Sequence, residues 1–150
     1  MSAAKALYDE DFYLWTQRAA ELLRAGRLEQ VDLENVAEEI EGLGRSDKRE
    51  VRSRLKVLLV HLLKCHHSTE EPSRSWLITI RNQRSEIRAL IEESPSLKGL
   101  VPELIAQAYQ DAAELAAYEM NLPREPFPAS CPFTEAEILD DSFIPGRLPG

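Results

Sequence analysis

All three histidines of this 150-residue chain fall between His61 and His67, with Cys65 among them. His61 and Cys65 stand four residues apart, the helical spacing that puts two soft donors on one face, where both can reach one metal ion. A complete site would need carboxylates from elsewhere, because the chain holds no second His or Cys pair. His61 and Cys65 are therefore only a subordinate metal candidate, and no cofactor is expected. The other thiol, Cys131, lies in a proline-rich segment, so the two cysteines read as reduced thiols and not as a disulfide framework.

A second set consists of polar residues that helical periodicity places inside apolar faces. Gln83 falls between Trp76, Ile80, Ile87 and Leu90, and Asp111 among Leu104, Ala108, Leu115 and Tyr118. Arg84 borders the first of these faces, and Glu39 and Glu41 border a shorter helix upstream. Burying such groups costs free energy unless they bond one another. A network of Gln83, Arg84, Asp111 and the glutamates is expected in or beside the core, where it would fix helix register or, in the functional alternative, form a polar pocket.

Arg74, Arg81, Arg84 and Arg88 recur at helical spacing and form a candidate anion-binding strip beside Trp76, whose ring could stack on a base. The overall charge opposes a nucleic-acid role: 18 basic against 26 acidic residues give −8. Residues 1–45 carry 5 basic and 10 acidic side chains, residues 46–93 carry 10 and 7, and residues 94–150 carry 3 and 9. A net-positive middle thus lies between acidic flanks, which suits pairing inside the fold or across a dimer. Glycine-rich phosphate loops, nucleophile elbows, zinc-protease helices and calcium loops are all missing from the sequence, so an enzyme is the less favoured class.

The elements that must position these residues are all helical. Tyr8, Phe12, Trp15, Ala19, Leu22 and Leu23 predict a first helix over 8–25 that stops at Gly26. Asp32 is the expected cap of a second, with Leu33, Val36, Ala37, Ile40 and Leu43 as its stripe and an end near Gly42 and Gly44. Ser46 and Asp47 predict the start of a third helix running to about His67. Its apolar residues occupy more than one flank, so it should be central or covered by a second subunit. A fourth helix lies between Pro72 and Pro95. A fifth starts at Pro102, runs to about Met120 and carries six alanines, which favour close helix packing.

The last thirty residues hold six of the nine prolines and three of the four phenylalanines, Phe127, Phe133 and Phe143. Such apolar anchors point to a strap lying on the bundle, with a short helix opened by the Thr134 and Glu137 capping box. The expected fold is all-α: a single irregular bundle of about five main helices over residues 8–120, with a strap over 121–150. Apolar residues make up 43% and charged residues 29%, as in an ordinary soluble domain. The amino terminus has no basic segment followed by an apolar run, and the strongest apolar run, Leu55 to Leu63, is broken by Lys56 and His61. It falls far short of the ~20 residues a membrane span needs, so a cytoplasmic location and no membrane partner are expected.

Several blocks occur in order: YDEDFYLW at 8–15, DLENVAEEIEGLGRSDKREVRSRLKVLLVHLLK at 32–64, RSWLITIRNQRSEI at 74–87, SPSL at 94–97, FPASCPFT at 127–134 and DDSFIP at 140–145. Together they resemble the domain of unknown function 29 family of bacteria over nearly the whole chain. The resemblance implies a helical fold and a bacterial source. It implies no activity, and no residue role transfers to this sequence. From the residues themselves, the leading expectation is a small helical interaction protein that associates with itself or another protein. The rivals are a nucleic-acid-associated factor and an enzyme or metal-binding bundle.

Overall fold

The computed structural model describes residues 3–146, which are all-helical and free of strands. The chain divides into two compact units, Met1–Ser46 and Asp47–Gly150. Among the described residues no helix is long and apolar enough to cross a membrane.

In the first unit the expected first helix is two helices, α1 (Ala3–Glu10) and α2 (Phe12–Arg24). Asp11 separates them. Its backbone leaves helical geometry and its carboxylate accepts the Leu14 N–H at 3.0 Å, an N-cap bond that competes with helix continuation. The Tyr8 ring meets the Trp15 ring edge-on across this break, with centroids 4.8 Å apart. At the other end Gly26 has φ +73°, and Arg27 N–H bonds Leu22 C=O while Gly26 N–H bonds Leu23 C=O. This left-handed stop is the reason glycine stands there.

The largest departure from the sequence reading concerns α3 (Leu33–His67), one continuous helix of 35 residues. The expected break at Gly42, Gly44 and Ser46 does not occur. Each glycine costs about 1 kcal/mol relative to alanine, too little to end a helix whose turns continue on both sides. Arg45 reaches back to Glu38 at 2.8 Å and Glu41 at 3.8 Å. The division between the compact units falls at Ser46, inside this helix.

The second unit is built on the later part of α3, with α4 (Arg74–Glu93), α5 (Val101–Glu119) and α6 (Glu135–Leu139). Val51, Leu55, Leu58, Leu59, Val60, Leu62 and Leu63 of α3 are all buried, as expected of a helix apolar on more than one flank. Val57, read as part of the second flank, is exposed. Ala108, Ala112, Ala113, Ala116 and Ala117 of α5 are buried in the same core, where their small side chains let other backbones approach. Ser73 caps α4 by accepting the Trp76 N–H, and a 3-10 segment, Pro95–Leu100, joins α4 to α5.

The proline-rich strap lies on this core. Phe127 and Phe133 are buried, and Phe143 packs on the core with its ring edge-on to Phe133. Tyr109 donates its hydroxyl to Pro128 C=O at 2.7 Å, and Arg124 bonds Phe127 C=O at 2.8 Å, so the strap's carbonyls are satisfied by α5 and by itself. The capping box of α6 forms as expected, with Thr134 and Glu137 exchanging bonds of 2.9 and 3.1 Å.

Candidate functional site

His61 and Cys65 lie four residues apart on α3. The His61 ring bonds Val57 C=O through Nδ1 at 2.8 Å. Cys65 is fully buried, and burial pushes its thiol up to about 11, so it stays protonated at neutral pH and is a poor ligand. Among the described residues no group of three potential ligands stands together. The other two histidines anchor the strap: His66 Nδ1 meets Gly146 C=O at 2.6 Å, and His67 stacks on Phe127 with centroids 4.1 Å apart. Burial, and then the neighbouring His66, lower the pKa of His67, and its Nε2 is buried with no hydrogen-bond partner.

The expected polar network does not assemble. Gln83 is half-buried and accepts from Arg54 of α3 at 3.3 Å, while Arg54 also reaches Glu50 at 3.1 Å and Glu86 at 3.8 Å. Asp111 is exposed and lines a 400 Å³ surface hollow with Arg52, Lys56 and Gln107. The helical wheel misplaced it because two of the apolar residues that frame it, Leu115 and Tyr118, are themselves exposed, Tyr118 by 83%. The buried stripe of α5 runs through Leu104, Ala108 and Ala112 instead. Glu39 and Glu41 find partners within the first unit: Tyr8 donates to Glu39 at 2.5 Å, and Glu41 lies 3.8 Å from Arg45. That bond to the Glu39 carboxylate, with a smaller share from burial, pushes the Tyr8 phenol up to about 12.

Arg84 is the residue of this set that lies in the core, 2% exposed. Its guanidinium donates through Nε to Ile138 C=O at 2.7 Å and through Nη2 to Glu137 C=O at 3.2 Å. Both carbonyls belong to the last turn of α6: Glu137 C=O also accepts the Asp140 N–H at 3.3 Å, and Arg84 completes this end as a C-terminal cap delivered from another helix. Burial lowers its pKa, and the more distant carboxylates of Asp141 and Asp140 act in the opposite sense.

The arginine strip is accordingly broken. Arg74 and Arg81 are exposed, Arg84 is turned into the core, and Arg88 is held by Asp141 at 2.6 Å. Arg81, Arg84 and Arg88 nevertheless line one 550 Å³ hollow with Ser85 and Asp141.

Sequence reasoning missed the surface of the first unit. Ile40 and Leu43, read as part of a core-facing stripe, are 63% and 70% exposed, and Phe12, Tyr13, Leu23 and Leu33 are exposed too. Trp15 and Ala19 are the unit's only fully buried hydrophobics among the described residues. Beside them runs a 580 Å³ groove lined by Leu7, Leu14, Trp15, Arg18 and Leu22. The signal was present in the sequence as an apolar stripe with too few apolar partners in the same 46 residues.

These features define a small all-helical protein with an uncovered apolar face on its first unit. The chain belongs to the family described as Domain of unknown function DUF29, whose model matches residues 7–144. No curated protein and no solved structure matches it.

Proposed function

We propose that the chain is a bacterial cytoplasmic protein-interaction module, and that its first unit pairs with the same unit of a second copy. The observation that carries this reading is the apolar surface the first unit presents to water. Eight of the fifteen exposed large hydrophobics among the described residues lie in it, although it is less than a third of the chain. A unit of this size buries too little surface to be stable unaided, and association is a common remedy. The two cysteines, both free, fit a reducing compartment.

Charge favours a second copy as the occupant. Arg18 and Arg24 stand on α2 with Arg27 just beyond it, whereas Glu38 and Glu41 stand on α3, paired at the exposed surface with Arg45. A two-fold arrangement that lays α2 of one copy along α3 of the other meets this pattern twice. It also covers Phe12, Tyr13, Leu23, Ile40 and Leu43 in a single closed contact.

Analytical ultracentrifugation of the full chain tests it. The expected result is a dimer, converted to a monomer of unchanged helicity by Ile40→Glu with Leu43→Glu. The four charges that the paired copies would bury should weaken association more than about 100-fold. A charge-swapped pair provides a second arm: Arg24→Glu with Arg27→Glu, mixed with Glu38→Arg with Glu41→Arg, should dimerise better together than either alone. A wild-type monomer at about 100 µM, tighter than which a biological dimer is expected to bind, overturns the proposal, as does a double-glutamate variant that remains dimeric.

A further inference from the structure

Arg84 places a positive charge in the core without a carboxylate to neutralise it. Its two hydrogen bonds go to backbone carbonyls, and among the described residues no acid lies within ion-pair distance of it. The two acids that act on it from further away are already engaged. Asp140 accepts the Ser142 N–H and hydroxyl at 2.9 and 2.8 Å, and Asp141 holds Arg88. Arg81, one turn before Arg84, makes no ion pair among the described residues.

Three arginines of α4 line one hollow. Arg81, Arg88 and Ser85 line it together with the buried Arg84, so three arginines share its lining with the single carboxylate of Asp141. Leu77, Ile80 and Ile144 supply an apolar wall to the same space. Its volume of 550 Å³ is within the range of about 300–1,000 Å³ usual for small-ligand sites. Guanidinium is the side-chain group best matched to the oxygens of a phosphate, because it offers parallel donors in a fixed plane.

We propose that this hollow binds a small phosphate ester or diphosphate. The phosphate oxygens would be held by Arg81, Arg88 and the Ser85 hydroxyl above the buried charge of Arg84, and the carbon portion would rest on Leu77 and Ile144. A nucleic-acid strand fits less well. The charges line a concave site on one helix and not a continuous track, Asp141 interrupts the rim, and the chain carries −8 overall.

Isothermal titration of the full chain with pyrophosphate tests the proposal. Saturable binding is expected, weakened about tenfold by Arg81→Gln, the loss of one charge-assisted contact. Among the described residues Arg81 makes no ion pair, so the ligand-free melting temperature of that variant should equal the wild type's. Asp141→Asn should instead strengthen binding by roughly threefold, because it removes the repelling carboxylate and releases Arg88. No saturable heat with the wild type overturns the proposal, and so does an Arg81→Gln variant that binds as the wild type does. Tighter binding of a single-stranded oligonucleotide, with a steep dependence on salt, overturns it in favour of a nucleic-acid surface.

Discussion

Replacing Arg84 by Met isolates what a buried cation does for this fold. Methionine keeps most of the aliphatic stem and removes both hydrogen bonds to the end of α6, those to Ile138 C=O and Glu137 C=O. Hydrogen bonds from a charged donor contribute about 1.5–3 kcal/mol each, and the carbonyls they leave behind are at least partly buried. Against this, the variant no longer carries an ion into the core, a relief that offsets part of the loss. We expect a net destabilisation of about 2 kcal/mol, equivalent to a fall of roughly 8–16 °C in the melting temperature of a unit this size. Thermal denaturation followed by circular dichroism measures it, and limited proteolysis of 135–146 should show α6 released before the rest of the unit. Arg84→Lys, which can reach one carbonyl but not both in the same plane, should fall between the two. A melting temperature for Arg84→Met within about 3 °C of the wild type, or above it, would refute the reasoning, because the buried charge would then be a net burden and the carbonyls satisfied without it.

Gly44→Ala tests the continuity of α3. A methyl group there meets nothing within 4 Å, so it should stabilise an unbroken exposed helix by about 0.5–1 kcal/mol. A lower urea midpoint would mean that the backbone departs from helix at that point. Acid should weaken the second unit through His67. Burial holds its pKa below the ordinary 6.5, so the unfolded chain takes up the proton first and stability, fully present above pH 6.5, declines as pH falls through and below that value. Urea midpoints at about pH 7.5 and pH 5.5 should converge in His67→Phe, and an unchanged difference would rule out His67 as the source.

The sequence made the second unit largely legible and the first unit much less so. In the second unit the cues have one reading: the Thr134 and Glu137 box and the prolines at 72, 95 and 102 bound helices that a dense apolar pattern then packs. Cues of the same kind misled at Gly42, Gly44 and Ser46, because local cap chemistry is worth only about a kcal/mol and helical turns on either side outweigh it. Asp11 was passed over for the opposite reason: apolar periodicity ran through it unbroken, while its side chain found a local amide. The candidate site was readable in its residue types but not in its grouping. Arg81, Arg84 and Arg88 share one helix and stayed together. Gln83 and Arg84 lie on α4 and Asp111 on α5, and the choice of buried face on α5 decides whether Asp111 can meet them. Periodicity could not make that choice where Leu115 and Tyr118 are apolar and yet exposed.

The strap is synthesised after every helix it covers. Until Phe127, Phe133 and the α6 carbonyls emerge from the ribosome, the ends of α3, α4 and α5 must wait with their apolar flank open and the Arg84 guanidinium unbound. Folding of the second unit is therefore a late event in translation, and a chain stalled anywhere between Met120 and Leu139 is a natural client for a chaperone that recognises apolar helical surface.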